Sequence, residues 1–312
     1  MKVIFVASGN KAVGTVSAFV RSQYESLQRE GVDMVLFPIT GHGWKAYAHA
    51  ISQLRKVIRR ERPDVVHAHY SVCGVVAAAA ACGTKVKVMV SILGSFPDKT
   101  FKLRWVRFFI KNIWNATLVK SQRTADQLGM TLPVVPNGVN LEQFALLDYK
   151  EARTRCGFDE EGKYVIWCSN PSRPEKNYPL AQRAVELLDN PAVRLVPVFD
   201  KPHDKVVEYM CAADVLLLTS QKEGSPNVIK EALACNCPLV STDVGDVRHN
   251  IQGVEGAYVA DDSVEGLTEC LRKALAFGRR TEGRRHLIEI GLTSGDIARR
   301  IIELYAQLTT QK

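Results

Sequence analysis

The chain has 312 residues, of which 46% are hydrophobic and 24% charged, a composition that excludes wholesale disorder and predicts about two domains of ordinary size. Its net charge of +8 is unevenly distributed, because residues 1–150 carry 20 basic and 9 acidic side chains whereas residues 151–312 carry 21 and 24. The first half is therefore the better candidate to meet an anionic partner.

Apolar runs and cysteines exclude other classes. The longest apolar stretch falls short of the ~20 residues of a bilayer-spanning helix, and the run at 1–6 predicts a buried strand rather than a signal peptide. The eight cysteines are scattered through apolar segments, which is typical of reduced thiols in a cytosolic protein. Cys235 and Cys237 lack a second pair at zinc-binding spacing. His67 and His69 lack a carboxylate at ligand spacing, so they are interpreted as cleft or structural histidines, and no metal site is predicted.

In chain order, short apolar runs alternate with segments of helical periodicity. The first half predicts strands near 3–7, 34–38, 65–66 and 86–92, has shorter apolar runs at 118–119 and 134–135, and predicts helices near 19–27, 51–58, 72–82 and 101–114. The second half restarts with strands near 164–168, 193–199, 215–219 and 238–242, and helices near 180–188, 205–212, 226–235 and 264–277. Strands that are apolar throughout and alternate with helices indicate parallel sheets covered on both faces.

The fold class predicted is therefore α/β, with two Rossmann-like parallel-sheet domains at residues 1–145 and 146–295 facing across a cleft. The boundary falls between Pro136 and Lys150, a segment rich in turn formers and then in charge.

The most informative segment, residues 220–246, follows the predicted strand 215–219, at whose carboxyl end open α/β sheets bind ligands. Ser225 is a good N-cap and Pro226 a favoured first helical residue, so a helix is expected here with free amides available to a phosphate. Glu223 and Glu231 would reach different parts of one ligand, Glu231 a ribose diol and Glu223 a sugar hydroxyl or developing positive charge. An ordinary capped helix with solvated glutamates would show the same periodicity.

The spacing Glu223-x7-Glu231, with Gly224, Pro226, Asn227 and Ala232, resembles the signature of retaining GT-B glycosyltransferases of the family-4 type. Other segments are similar to that family in the same order: residues 63–69, the Asn-Gly-Val segment at 136–140, the basic loop at 174–177, and Tyr305 in a terminal helix. The resemblance spans nearly the whole chain.

The resemblance implies a retaining, metal-independent hexosyltransferase that moves a sugar from a nucleotide sugar to a glycan or lipid-linked acceptor. The donor typical of the family is a UDP-sugar, and the implied setting is cell-surface polysaccharide synthesis. It implies no cofactor, an acceptor-binding first domain, and a terminal helix near 296–312 that packs back on that domain. By position it assigns Glu231 to the donor ribose, Glu223 to the transferred sugar, Lys176 to the diphosphate, Gly224, Ser225, Pro226 and Asn227 to the phosphate-binding helix start, and Gly14 to a glycine-rich loop.

The sequence departs from the family pattern in two places. Pro171 stands where the family usually has an arginine, so Arg173 is the candidate second cation. Leu93 stands where the family commonly has a histidine facing the donor sugar, so His69 or Ser95 is the candidate sugar or acceptor contact.

Residues 101–114 predict a helix with a basic flank, Arg104, Arg107 and Lys111, beside an aromatic face. Such a helix can lie on anionic lipid, although packing on the first sheet would also explain the apolar face. Contact with the inner face of the cell membrane would place a cytoplasmic enzyme beside a lipid-linked acceptor.

Two other functions remain open. A nucleotide-sugar 2-epimerase on the same fold would need further acid or base carboxylates around the sugar. A basic nucleic-acid-binding protein is the remote alternative, disfavoured because the sequence lacks a recognition motif.

Overall fold

A computed structural model describes residues 1–9, 15–41, 43–93 and 101–310 of the chain. The first part contains β1 (Lys2–Ser8), α1 (Ala18–Arg29), β2 (Asp33–Ile39), α2 (Gly43–Glu61), β3 (Val65–His69), α3 (Ser71–Ala81), β4 (Lys87–Ile92), α4 (Phe101–Asn112), β5 (Ala116–Val119) and α5 (Gln122–Leu128). The chain continues with α6 (Tyr149–Cys156), β6 (Lys163–Trp167), a 3-10 turn (Pro174–Lys176), α7 (Tyr178–Glu186), β7 (Val193–Pro197), α8 (His203–Ala212), β8 (Val215–Leu218) and α9 (Asn227–Ala234). It ends with β9 (Leu239–Thr242), α10 (Val247–Asn250), β10 (Ala257–Ala260), α11 (Val264–Phe277), α12 (Gly283–Glu289) and α13 (Ser294–Thr310).

The strands form two five-stranded parallel sheets, in the orders β2-β1-β3-β4-β5 and β10-β9-β8-β6-β7. Central strands such as β1 and β8 are buried on both faces, which explains their uninterrupted apolar sequences. The predicted α/β fold with two parallel sheets is confirmed. The apolar run at 134–135 forms no strand, but Val134 makes an isolated parallel bridge to Val119. The edge strand β10 was not predicted, since its four residues are mostly half-buried and give a weak apolar signal.

The chain divides into two compact units, Met1–Gly138 with Ser294–Lys312, and Val139–Thr293. The sequence division at 145 differs from this boundary because Val139 already belongs to the second unit. Its N–H donates to the carbonyl of Leu292 at 3.0 Å, and the Arg284 side chain donates to the carbonyl of Phe144 at 2.6 Å.

In the first unit, helices cover the two faces of the sheet differently. Side chains of α2, α3 and α4 pack with alternate strand residues such as Ile4, Val66 and Val90. On the opposite face, Tyr305 of α13 bonds through its hydroxyl to Nδ1 of His67 at 2.6 Å, and Nε2 of His67 meets the Ser91 hydroxyl at 2.7 Å. Burial lowers the pKa of His67 to about 3, with the charge of Lys120 adding to the effect, so the ring is neutral and donates through one nitrogen only.

The Tyr305 hydroxyl tests how firmly α13 is fixed to this sheet. Replacing Tyr305 with Phe leaves a buried nitrogen of His67 without a partner, so we expect the free energy of unfolding to fall by about 1–3 kcal/mol in urea titrations. The control is Tyr47→Phe in the same unit, whose hydroxyl makes no hydrogen bond to any described residue. Equal unfolding midpoints for the two variants would contradict this role of the Tyr305 hydroxyl.

Candidate active site

The candidate site lies at the carboxyl edge of the second sheet, where the strand order reverses. β6 is hydrogen-bonded to both β7 and β8, so the chain leaves β6 on one side and returns on the other. Such a reversal is where open α/β sheets bind ligands. The segment after β6 carries Arg173 and Lys176, and the segment after β8 carries Glu223, so the topology brings these residue types to one edge.

Thr219 joins the two segments. Its hydroxyl accepts from the indole N–H of Trp167 at 3.0 Å and lies 2.9 Å and 3.0 Å from the carbonyl oxygens of Lys176 and Asn177. One residue further, the N–H of Gln221 donates to the carbonyl of Glu175 at 3.0 Å. These bonds fix the 3-10 turn against the end of β8.

Lys176 and Glu223 form an ion pair across this junction, with Nζ donating to Oε1. Their side chains are only 17% and 18% exposed, so the pair is screened less than a surface pair. An anionic ligand at this edge would compete with Glu223 for the ammonium group. Arg173 is not brought into the pair: its guanidinium is 54% exposed and donates to Glu175 at 2.6 Å.

The start of α9 differs from the sequence prediction. The helix begins at Asn227 with Pro226 at the N-cap position, whereas Ser225 was predicted as the cap and Pro226 as the first helical residue. The Ser225 side chain is engaged elsewhere: it donates to Oδ2 of Asp246 at 2.6 Å and accepts from Nζ of Lys230 at 2.9 Å. No side chain caps α9 in the described structure, so the amides of Val228 and Ile229 remain available to a ligand.

Glu231 lies in the second turn of α9 and is partly exposed. Burial raises the pKa of its carboxyl group to about 7, and the neighbouring Lys230 opposes the shift. The group is therefore close to half ionised at neutral pH, and a ligand that hydrogen-bonds to the carboxylate would favour the charged form.

Gly245 sets the distance between the segments that follow β8 and β9. Its φ is +60°, and a Cβ at this position would lie 2.4 Å from the carbonyl oxygen of Gly224. Close by, the hydroxyl of Thr242 donates to the carbonyl of Ser220 at 2.7 Å. The phosphate-binding loop expected at Gly224 and Ser225 is thus supported by close contact with the segment that follows β9.

The first unit contains the remaining sequence candidates. His69 is fully buried, and its ring stacks on that of His67 with centroids 4.8 Å apart and meets that of Phe5 edge-on at 4.3 Å. Neither ring nitrogen of His69 has a hydrogen-bond partner among the described residues. Burial, together with the charges of His67 and Lys120, holds the pKa of His69 well below its usual value. Leu93, which follows β4, is half-buried. Gly14 and Ser95 lie outside the described residues.

Sequence reasoning missed Lys230 and Asp246. Lys230 lies between Ile229 and Ala232 on the buried side of α9, and a charged residue on an apolar helix face is the signal that could have identified it. Asp246 gave no such signal, because an aspartate beside a glycine is common in surface turns. Across the described residues, His, Cys, Asp and Glu side chains are nowhere grouped in threes as a metal ion would require.

Two family models match the chain. Residues 12–143 match the family described as Glycosyltransferase Family 4, and residues 152–276 match the one described as Glycosyl transferases group 1. The chain belongs to the group 1, family-4 glycosyltransferases.

Two curated relatives illustrate this glycosyltransferase family. One is a Bacillus subtilis protein provisionally named teichuronic acid biosynthesis glycosyltransferase TuaC, 25% identical over 68% of this chain and 61% of its own length. The other is N-acetyl-alpha-D-glucosaminyl L-malate synthase of Bacillus anthracis, 23% identical over 67% of this chain and 64% of its own length. The glycosyltransferase chain thus spans less than two thirds of the relatives it matches.

Solved structures share the fold. Sucrose-phosphate synthase of Thermosynechococcus elongatus superimposes with a TM-score of 0.81 at 15% identity, covering all of both chains. Anabaena HepE, solved in complex with UDP, superimposes with a TM-score of 0.77 at 15% identity, covering 98% of this chain and all of its own. Likeness at this level of identity establishes the GT-B fold of the glycosyltransferase.

The contact between Gly245 and Gly224 can be tested with a matched pair of glycines. Gly253 also has positive φ, +82°, but a Cβ there would meet nothing within 4 Å. We expect Gly253→Ala to lower the unfolding free energy by about 1–2 kcal/mol from backbone strain, and Gly245→Ala by at least about 1 kcal/mol more from the collision. Equal losses in denaturant titrations would show that the collision is relieved without cost.

Proposed function

We propose that this protein transfers a glycosyl unit from a nucleotide sugar to a glycan or lipid-linked acceptor, with retention of configuration. The observation that carries the proposal is the junction of Lys176, Glu223 and the uncapped start of α9 at the strand-order reversal of a family-4 glycosyltransferase. Positive charge and the backbone amides of a helix start meet there beside a carboxylate, which is the chemistry that a diphosphate bearing a sugar requires.

Donor binding is proposed to exchange partners at the ion pair. The diphosphate takes the ammonium of Lys176 and the first amides of α9, in the loop formed by Gly224, Ser225, Pro226 and Asn227. Glu223 is then released to accept a hydrogen bond from the sugar or to face positive charge at its anomeric carbon. Because Lys176 is already neutralised by Glu223 in the free protein, the exchange leaves the ammonium group paired with an anion both before and after donor binding.

Glu231 is proposed to bind the ribose diol of the donor. A carboxylate accepts two hydrogen bonds from vicinal hydroxyls, and only the ionised form accepts both. Since the pKa of Glu231 is raised to about 7 by burial, donor affinity is expected to increase as the pH rises from about 6 to about 7.

In the proposed reaction the bond between the anomeric carbon and the diphosphate oxygen breaks while a bond to the acceptor oxygen forms on the same face. The acceptor proton passes to the leaving phosphate, so nucleoside diphosphate and glycoside are the products. Lys176 and the α9 amides stabilise the charge that develops on the leaving group. Arg173 can add a second cation if it leaves Glu175. The positive charge comes from the chain itself, so the proposed reaction uses neither a metal ion nor a cofactor.

Uridine diphosphate is the proposed nucleotide, which the UDP and UDP-glucose complexes of HepE support by analogy of fold. Cell-surface polysaccharide synthesis is the proposed setting, supported by the name of TuaC. His69 is a candidate sugar contact only if its buried ring becomes accessible, and Ser95 remains a candidate from the sequence. The epimerase alternative is not favoured, because the family matched is one of glycosyltransferases.

The donor site can be tested by thermal unfolding with a panel of nucleoside diphosphates. A ligand at about 100 times its Kd stabilises the folded state by about 2.7 kcal/mol, so UDP is expected to raise Tm by several degrees. Glu231→Ala should abolish this increase, whereas the control Glu186→Ala, at an exposed position of α7, should retain it. If no nucleoside diphosphate stabilises the wild-type protein, the proposed donor class is wrong.

A peripheral contact with anionic membrane is proposed for the first unit, which by sequence carries 22 basic and 9 acidic side chains. Leu103 and Val106 of α4 pack into the core, so the helix is held on the sheet as one of the sequence interpretations expects. Its outer side nevertheless exposes Phe101 (83%) and Phe108 (55%). The helix contains no acidic residue.

Basic side chains surround these aromatics. Lys102, Arg104 and Lys111 are exposed on α4, whereas Arg107 turns inward and donates to the carbonyl of Leu128 at 2.7 Å. Exposed aromatic rings flanked by lysine and arginine match an anionic bilayer surface. In the described part of the chain, no helix is both long and apolar enough to cross a bilayer. The proposed location is the cytoplasmic face of the cell membrane, beside a lipid-linked acceptor.

Vesicle flotation tests the membrane surface. The wild-type protein is expected to float with vesicles that contain anionic phospholipid and to remain behind with neutral ones. A Phe101→Ser, Phe108→Ser double variant should lose most flotation, whereas Leu187→Ser, exposed in the second unit, should not. Because each basic residue near the surface contributes about 1 kcal/mol, raising the salt concentration should weaken binding. Flotation that is independent of both lipid charge and the two phenylalanines would contradict the proposal.

A further inference from the structure

The first turns of α9 contain a lysine where two physical effects disfavour one. Lys230 is the fourth residue of the helix and only 1% exposed. A cation is unfavourable at the positive end of the helix dipole, and burial of an ammonium group adds a desolvation cost. Violations of this kind are expected at functional sites, where a ligand compensates them.

Hydrogen bonds connect Lys230 to the loop that follows β8. Its Nζ donates to Oγ of Ser225 at 2.9 Å, and the Ser225 hydroxyl donates to Oδ2 of Asp246 at 2.6 Å. Among the described residues, the carboxylates of Asp246 and of the neighbouring Glu231 act electrostatically on Lys230. The buried cation is therefore one hydroxyl group away from the loop that is proposed to hold the donor diphosphate.

We propose that Lys230 is a positioning residue, which orients the Ser225 hydroxyl and supplies positive charge from beneath the loop to a bound diphosphate. The inference rests on the proposed function, because it requires an anion at the start of α9. Lys230 does not touch that ligand. It acts through Ser225, and the bound anion in turn compensates the charge that burial and the helix dipole disfavour.

This role has opposite consequences for the free and the ligand-bound protein. Burial lowers the pKa of Lys230 to about 8 from 10.5, although Asp246 and Glu231 act to raise it. The folded state therefore binds the proton less firmly than the unfolded chain does. The charge destabilises the free protein fully below pH 8, and this cost disappears as the pH rises towards 10.5. A bound diphosphate favours the protonated form, so its affinity should fall as the pH rises above about 8.

The test uses UDP as the probe, with affinity measured by calorimetry from about pH 7 to about pH 9. Lys230→Met removes the charge from a side chain of similar length and should weaken UDP binding about tenfold at pH 7. Wild-type affinity should fall severalfold across the range, whereas that of Lys230→Met should show no alkaline loss and should change only as Glu231 and the nucleotide itself ionise. Lys230→Arg keeps its charge throughout and should show no alkaline loss. The control Lys222→Met removes an exposed charge from the same loop and should follow the wild type, including any titration of the nucleotide itself.

Thermal unfolding without ligand separates positioning from a structural role. If Lys230 is retained for the ligand, Lys230→Met should raise Tm at pH 7 by about 3 °C, whereas a lysine that only supports the fold would lower it. Should the arginine variant fail to fold, Ser225→Ala provides the second test, since it interrupts the link and should weaken UDP binding while retaining the alkaline loss.

Two outcomes distinguish failure of the role proposed for Lys230 from failure of the proposed function. If the wild-type protein binds UDP but Lys230→Met binds it equally well with the same pH profile, Lys230 has no positioning role and the proposed function stands. If the wild-type protein does not bind UDP at any pH, the proposed donor is wrong, and this inference falls with it.

Discussion

The reversal of strand order around β6 and β8 is the constraint on which the site depends. Because the chain leaves β6 towards β7 and returns to place β8 on the other side, two segments distant in sequence must end at the same edge. Lys176 and Glu223 are 47 residues apart, yet they form an ion pair there. The hydroxyl of Thr219 and the contact of Gly245 with Gly224 then fix the spacing of these segments, so the sheet acts as the rigid support that a preorganised site needs.

Some charged groups of the site neutralise each other, whereas others are held in surroundings that disfavour their charge. Lys176 and Glu223 neutralise each other, whereas Lys230 is buried at the positive end of a helix and Glu231 is held with a raised pKa. The burial of Lys230 and of Glu231 costs free energy in the free protein, and under the proposed function each would become favourable when an anion and a diol are bound. Under the proposed function, stability that the free state loses would become selectivity for a charged ligand.

Much of this arrangement could be predicted from the sequence. The features that could not be predicted depend on contacts between distant segments. Continuous apolar strands alternating with helices indicated parallel sheets, and Ser225 and Pro226 after the strand at 215–219 indicated a helix at a strand end. The pairing of Lys176 with Glu223 depends on strand order, which local patterns do not encode. Ser225 was predicted as a helix cap from its local sequence. The prediction failed because its side chain bonds instead to Lys230, a helical turn further on, and to Asp246, which follows the next strand.

The most direct test of the account is hydrogen–deuterium exchange with and without UDP. Binding at the strand-order reversal predicts slower exchange in residues 173–177, 220–231 and 242–246, where the ligand and the supporting contacts lie. Residues 279–289, at the opposite edge of the second sheet around Arg280, should exchange unchanged. Protection confined to 279–289, or exchange that UDP leaves unaltered everywhere, would contradict a nucleotide site at this edge.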